Sequence, residues 1–237
     1  MKGNMYCVPR KELRELADPG RAKNSQRFFK TGPGEYGEGD RFLGITVPRL
    51  RALAKKHCDL SFSSLRSFLA SPLHEERLFA LMILVLQFQH GSKIDRKRIY
   101  DFYVRNLRAI NNWDLVDLTA PRIVGPIWLE GGRVPIQRWV RSRNLWERRI
   151  AIVSTAYFIG QGRFSETLRI SRTLLNDRED LIHKAVGWML REVGKRNRPV
   201  LERFLDRHAH RMPRTMLRYA IERFSESERQ TYLEKGR

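Results

Sequence analysis

Two tryptophans and one aspartate are spaced so that they could do chemistry on a cationic centre. Asp117 follows Trp113 by four residues, and Trp188 follows Lys184 by four, so each pair shares one face of a helix. A carboxylate between two indoles suits a positive charge that develops during a reaction, such as the charge on the sugar when an N-glycosidic bond breaks. The alternative interpretation is that Asp117 pairs with an arginine and that both tryptophans are core residues.

Basic residues surround this group in the sequence. Arg191 and Lys195 continue the helix face of Lys184 and Trp188, and the 237-residue chain has 46 Lys+Arg against 26 Asp+Glu, a net charge of +20. The excess is spread along the chain, so we expect it on the folded surface, where it attracts phosphates. Asp117 is then an exception that needs a reason, because a carboxylate repels a phosphate backbone.

Helical patterns fill the chain, and no convincing segment of period 2 is bounded by turn residues. The sequence therefore predicts an all-α fold. The predicted helices cover 9–17, 20–30, 47–57, 62–70, 74–89, 93–107, 111–119, 121–129, 133–142, 144–160, 164–175, 178–195, 198–210, 212–223 and 226–233.

Four of these segments look alike, and in each a basic residue precedes an apolar run. These anchor residues are Arg77, Arg149, Lys184 and Arg218, with spacings of 72, 35 and 34 residues. A spacing of 72 is twice 36, which predicts a fifth unit near residue 113, where Trp113 lies. Such a series predicts a solenoid of helical hairpins with its anchors along a concave, basic surface. Alternatively, these cations simply begin exposed helix faces.

Three segments resemble the AlkD-like DNA glycosylases, the HEAT-like-repeat enzymes of DNA alkylation repair: NNWDLVDL (111–118), NLWERRIAI (144–152) and HKAVGWMLREVGK (183–195). The segment RFFKTGPGEYGEGDRFLGI (27–45) is similar to the amino-terminal part of many of these proteins. The resemblance runs from about Arg27 to Arg229. We therefore predict one all-α HEAT-like repeat domain over residues 1–237, with repeat anchors near 77, 113, 149, 184 and 218 and a concave basic groove.

The resemblance implies roles for individual residues. The family's catalytic tryptophan matches Trp113, its carboxylate Asp117 and its second tryptophan Trp188. DNA-contacting arginines match Arg149 and Arg191, and the anchor row with its helix face adds Arg77, Lys184, Lys195 and Arg218 as DNA-binding candidates. This chain departs from some members at Asn112, where they carry a second aromatic residue, and at Thr46, where they carry glutamine.

The implied activity is that of a monofunctional glycosylase that excises N3- and N7-alkylated purines from duplex DNA in base excision repair, without flipping the base. Such purines are cationic and leave readily, so neither a general acid nor a cofactor or metal is expected. The expected partner is double-stranded DNA that contains alkylated purines, and we expect a monomer. A non-catalytic binder of damaged or branched DNA is the main alternative, and a protein-interaction scaffold is a third.

Cysteine content and hydropathy bear on location. Only Cys7 and Cys58 are present, too few for a disulfide framework, which favours the reducing cytoplasm. With DNA as its expected partner, the protein would be associated with the nucleoid. No apolar run approaches the roughly 18 residues of a spanning helix, so no membrane partner is expected.

A glycine-rich stretch, Gly32–Gly37, matches G-x-G-x-x-G. A dinucleotide site with this motif needs a preceding strand, and here a helical segment precedes it. We expect an ordered connecting loop. The pairs His57–Cys58 and His208/His210 lack further metal ligands, and Trp128, Trp139 and Trp146 are expected in the core.

Overall fold

The computed structural model describes residues 7–235, and within this range all regular structure is helical apart from one isolated bridge between Arg41 and Leu73. The predicted all-α fold is confirmed. The chain divides into two compact units, Met1–Thr119 and Ala120–Arg237. Each unit is described by itself, and the single repeat domain stays a prediction. No helix in the described range is long and apolar enough to cross a bilayer.

The first unit is built around the long helix α5. Its helices are α1 (Cys7–Glu15), α2 (Pro19–Phe28), α3 (Val47–Lys56), α4 (Phe62–Leu69), α5 (His74–His90), α6 (Lys93–Arg105) and α7 (Trp113–Thr119), with a 3-10 turn at Leu107–Ala109. Helix α5 is buried along most of its length, and α3, α4, α6 and α7 pack against it. The apolar run of α5 therefore forms the core of this unit.

Local sequence signals set the ends of these helices. Ser92 caps α6 with a full capping box, since its hydroxyl accepts from the Asp95 amide and the Asp95 carboxylate accepts from the Ser92 amide. Helix α7 ends at Thr119, two residues before Pro121, which has no N–H to donate to the Asp117 carbonyl. The proline thus ends regular α-helix two residues after Asp117, and a π-helical turn follows at Ala120–Val124.

A loop of residues 29–46 joins α2 to α3, and Glu75 of α5 holds it in place. The buried Glu75 carboxylate accepts hydrogen bonds from the amides of Leu43 and Gly44, each at 2.8 Å, and of Ile45 at 3.3 Å. Gly44 has a φ of +79°, and a Cβ at this position would lie 2.2 Å from the Asp18 carbonyl oxygen. Only glycine fits this close approach.

The second unit is built around helix α13. After the π-helical turn, its helices are α8 (Gly125–Leu129), α9 (Ile136–Val140), α10 (Leu145–Val153), α11 (Thr155–Gly160), α12 (Ser165–Thr173), α13 (Asp180–Arg196), α14 (Arg198–His208), α15 (Arg214–Ala220) and α16 (Glu226–Lys235), with a 3-10 turn at Ala209–Arg211. Helix α13 packs against α10, α11, α12, α14 and α15. The predicted core residue Trp139 is fully buried here.

Three anchor residues of the second unit occupy the same position in their helices. Arg149, Lys184 and Arg218 are each the fifth residue, of α10, α13 and α15 respectively. Helix α13 packs against both of the other two helices. Gly187 permits the close contact with α15, because a Cβ there would lie 2.4 Å from the Met216 carbonyl oxygen. The repeat itself stays a prediction.

One predicted helix, 144–160, is interrupted. The structure divides it into α10 and α11 at Ser154. The Ser154 hydroxyl donates to the Ile150 carbonyl oxygen at 2.6 Å, a local hydrogen bond of the kind that bends helices. The apolar periodicity continues through this bend, which is why the sequence pattern alone did not locate it.

Candidate functional site

Helix α7 carries Trp113 and Asp117 one turn apart, at half-buried positions. Leu115, Val116 and Thr119 are its buried residues and pack it into the first unit. Trp113 and Asp117 lie on one face of the helix because residues four apart share a face. The structure therefore brings together the aromatic ring and the carboxylate that the sequence predicts as catalytic.

An aromatic stack supports the indole of Trp113. The Phe29 ring lies 5.2 Å from the Trp113 ring, centroid to centroid, with 18° between the ring planes. Phe29 in turn stacks on Phe42 at 5.0 Å, and Phe42 stacks on the imidazole of His74 at 4.7 Å. One face of Trp113 is therefore covered and its orientation is set by the loop between α2 and α3.

A second phenylalanine, Phe28, contacts Trp113 from the side. Its ring centroid is 5.8 Å from that of Trp113, at an interplanar angle of 72°, and 66% of the residue is exposed. Sequence reasoning did not assign roles to Phe28 and Phe29. The available signal was their place in the segment 27–45, which carries part of the family resemblance.

A buried polar network connects α5, the 29–46 loop and the start of α7. His74 lies between two carboxylates, with Nδ1 3.0 Å from Asp40 and Nε2 2.7 Å from Asp114. Arg77 donates to the other Asp40 oxygen at 2.6 Å. Fully buried Asn112 donates to Asp40 at 3.3 Å and accepts from the Trp113 amide at 2.8 Å. The departure from the family at Asn112 thus forms part of this network.

The charges in this network balance because His74 is protonated. Burial lowers the pKa of His74, but hydrogen bonds to Asp114 and Asp40 outweigh it and raise the pKa to about 9. Burial would raise the pKa of Asp40, yet the hydrogen bond from His74 and the charge of Arg77 lower it overall. Two cations and two carboxylates therefore share this interior at neutral pH.

Tyr103 of α6 lies beneath α7. Its hydroxyl is 2.9 Å from that of Thr119, and Thr119 also donates to the Leu115 carbonyl oxygen at 2.6 Å. Burial raises the pKa of Tyr103, and the negative charge of Asp117 acts in the same direction. Tyr103 therefore stays neutral, and its hydrogen bond to Thr119 holds α7 against α6.

Two of the predicted DNA-binding residues, Arg77 and Arg149, are buried within the fold. Arg77 is 4% exposed and pairs with Asp40, while Arg149 is 5% exposed and donates to the Leu181 carbonyl oxygen at 2.5 Å. The row of anchors expected along a concave surface is therefore buried at these two positions, and their contact with DNA stays a prediction. A buried guanidinium requires partners within the protein, and its stem fills core space, so Arg77 ties α5 to the 29–46 loop and Arg149 ties α10 to α13.

The other four predicted cations lie in the second unit. Lys184 pairs with Asp180 at 2.8 Å, Lys195 pairs with Glu192 at 2.8 Å, and Arg191 pairs with Glu222. Arg218 is exposed and forms no ion pair within the described range. Partly exposed ion pairs are weak, so phosphates can replace these carboxylates. Trp188 is half-buried on α13. Its place beside Trp113 and Asp117 stays a prediction.

The structure also bears on the glycine-rich motif and on the candidate metal ligands. In the Gly32–Gly37 loop, Glu35 accepts from the Gly32 amide at 2.8 Å and Glu38 accepts from the Gly34 amide at 2.9 Å. Carboxylates thus occupy the amides that a phosphate would need. No group of three or more His, Cys, Asp or Glu side chains among the described residues could hold a metal ion.

Comparison with known proteins assigns the chain to a family. The family described as DNA alkylation repair enzyme matches residues 9–224 of the chain. The protein belongs to the DNA alkylation repair enzyme family, and its role is in DNA repair.

Two solved structures are similar to this chain. A predicted DNA alkylation repair enzyme from Enterococcus faecalis has a TM-score of 0.70 and 18% identity, covering 89% of this chain and 98% of its own. The smu.31 protein from Streptococcus mutans UA159 has a TM-score of 0.50 and 17% identity, covering 98% of each chain. At these identities the likeness shows the shared fold. No curated protein matches the chain at a significant level.

Proposed function

We propose that the protein is a monofunctional DNA glycosylase that releases N3- and N7-alkylated purines from duplex DNA. The observation that carries the proposal is the pairing on α7 of Trp113, held by its stack on Phe29, with Asp117 one turn later, both half-buried. Family membership supports alkylated DNA as the substrate. The basic residues of the second unit, with Arg218 exposed and unpaired in the part described, would contact phosphates.

The proposed reaction starts from a base that already carries a positive charge. When the bond between C1′ and the purine nitrogen breaks, the electron pair moves to the purine, which leaves as a neutral base. The sugar then develops oxocarbenium character, which the Asp117 carboxylate stabilises. Water attacks C1′ and loses a proton to Asp117 or solvent, so the products are free alkylpurine and an abasic site.

The tryptophans would bind the deoxyribose rather than enclose the base. One face of Trp113 is covered by Phe29, so it offers only its other side and its edge to the substrate. In the proposal, Trp188 contacts the same sugar, and cation–π attraction adds to the stabilisation by Asp117. The base would stay in the duplex, unlike in glycosylases that flip their target into a pocket.

The proposal extends to the working state of the protein. A cationic leaving group needs neither metal nor organic cofactor, so we propose that the protein acts without either. We also propose that it acts as a monomer. We place it in the cytoplasm, in contact with the nucleoid, because the substrate is duplex DNA.

A base-release assay tests the proposal. Purified protein is incubated with duplex DNA that contains 7-methylguanine, and free methylpurine is measured alongside abasic sites. We expect release by the wild-type protein and a loss of about 100-fold or more in Asp117→Asn, with duplex affinity unchanged or higher. Full activity of Asp117→Asn would refute the role of the carboxylate. Tight binding without any release by the wild type would instead indicate a non-catalytic DNA binder.

A further inference from the structure

A basic cleft lies between α12 and α14 of the second unit. Its volume is about 630 Å³, and its lining includes five arginines and one histidine: Arg163, Arg169, Arg172, Arg203, Arg207 and His208. The apolar side chains of Phe164, Leu168, Val200 and Phe204 form the rest of its wall. Ligand pockets commonly have volumes in this range, so the cleft is large enough for a mononucleotide.

Most of this positive charge has no counter-charge in the protein. Arg169 pairs with Glu166, with its Nε 3.0 Å from the carboxylate. Arg163, Arg172, Arg203 and Arg207 are exposed and form no ion pair within residues 7–235. The two carboxylates of α14 have partners other than the arginines of the cleft. Glu202 accepts from Arg198 at 2.8 Å, and Asp206 accepts from the Tyr232 hydroxyl at 3.4 Å.

The titration of His208 reports the positive potential of the cleft. Its ring packs against Phe204 at 4.7 Å between centroids. Burial lowers the pKa of His208, and the charges of Arg172, Arg211, Arg207 and His210 lower it further. Two of these arginines line the cleft themselves. An anion that binds there would compensate this repulsion and raise the pKa of His208.

The cleft uses different helices from the predicted lesion-binding residues of the second unit. Those residues are carried by α10, α13 and α15, whereas the cleft is lined by α12, α14 and residues 163–164. No side chain proposed for glycosylase chemistry contributes to it.

We propose that this cleft is a second anion site that binds the phosphate of a nucleotide. Guanidinium groups match phosphate oxygens in paired, charge-assisted hydrogen bonds, and four unpaired arginines around one cleft provide several such donors. The apolar wall would contact the sugar or the base. The nucleotide is either part of a DNA strand, which the cleft would contact away from the damaged base, or a free nucleotide in solution. The proposal goes beyond glycosylase activity and is independent of it.

Matched charge-reversal variants test the site. The first variant is Arg172→Glu with Arg203→Glu in the cleft, and the control is Arg105→Glu with Arg108→Glu, two exposed arginines of the first unit. Both change the net charge equally, and thermal unfolding confirms that each is folded. The probes are ADP and a fluorescent, undamaged single-stranded oligonucleotide, measured at about 0.1 M salt.

We expect the cleft variant to lose at least about tenfold in affinity for one probe, while the control stays within about twofold of wild type. Binding of that probe to the wild-type protein should also raise the pKa of His208, followed by NMR. A response to ADP identifies a free-nucleotide site, and a response to the oligonucleotide alone identifies a strand contact. Equal losses in the two variants, or no movement of the His208 pKa with either probe, would overturn the proposal.

Discussion

The His74 ring donates a 2.7 Å hydrogen bond from Nε2 to Asp114, the residue that follows Trp113 in α7. Its other nitrogen, Nδ1, lies 3.0 Å from Asp40 in the loop between α2 and α3. Because that loop also carries Phe29 and Phe42, one protonated ring connects the start of α7 to the stack that supports Trp113. The orientation of the candidate catalytic indole thus depends on a buried charge.

The first prediction concerns the pH dependence of stability. The pKa of His74 is raised from 6.5 to about 9 in the folded protein. Its contribution to the free energy of unfolding is therefore complete below pH 6.5, declines as pH rises from 6.5 to 9, and is absent above pH 9. Thermal unfolding across this range should show the decline.

The variant His74→Gln provides the control. It cannot bind the extra proton, so the slope between pH 6.5 and pH 9 should flatten. His208 does not contribute to the slope between pH 6.5 and pH 9, because its pKa is lowered and its effect on stability appears only as pH falls below 6.5. A variant that keeps the full decline would show that another group causes it.

The second prediction concerns the stack under Trp113. Phe29→Leu keeps an apolar side chain but removes the aromatic face, so we expect the indole to shift and base release to fall by about tenfold. The loss of stability should be about 1 kcal/mol. Affinity for undamaged duplex should stay within about twofold, because no phosphate contact is removed.

Phe62→Leu is a matched control in the same unit. Phe62 is also half-buried and stacks on Phe102 at 4.7 Å, but it makes no ring contact with Trp113. We expect a similar loss of stability with unchanged base release. Equal effects of the two substitutions on base release would mean that the Phe29 stack acts only through general stability.

Comparison of these residues shows what the sequence could predict. The helices follow from apolar periodicity, and the pairing of Trp113 with Asp117 follows from a spacing of four within one helix, so both are visible in the sequence. The partners of Trp113 and His74 are not, because Phe29, Asp40 and Asp114 come together only when the 29–46 loop packs on α5 and α7. Burial of Arg77 and Arg149 depends on the same long-range packing, since arginine at an equivalent repeat position is exposed at residue 218.

The third prediction uses this contrast between equivalent positions. Arg149→Met should lower the free energy of unfolding by about 1–3 kcal/mol, because it removes a buried donor and leaves the Leu181 carbonyl without this bond. Arg218→Met should change stability by less than about 0.5 kcal/mol. It should instead reduce the slope of log affinity for duplex DNA against log salt by about one. If Arg149→Met left stability intact and reduced only the salt slope, Arg149 would be a phosphate contact after all.

The last prediction concerns the close contact between α13 and α15. A Cβ on Gly187 would lie 2.4 Å from the Met216 carbonyl oxygen and 2.5 Å from the Tyr219 Cβ, so Gly187→Ala must push the helices apart. We expect a loss of about 1–3 kcal/mol in thermal unfolding. Gly160→Ala is the control, because a Cβ there meets nothing within 4 Å, and stability should stay equal or rise by up to about 1 kcal/mol.

Because Gly187 is adjacent to Trp188 and α15 carries Arg218, the displacement in Gly187→Ala should also change the environment of Trp188. Base release should then fall by more than the fraction of unfolded protein explains, while Gly160→Ala keeps wild-type activity. A fully active, stable Gly187→Ala protein would show that α15 can move away from α13 without consequence for the site.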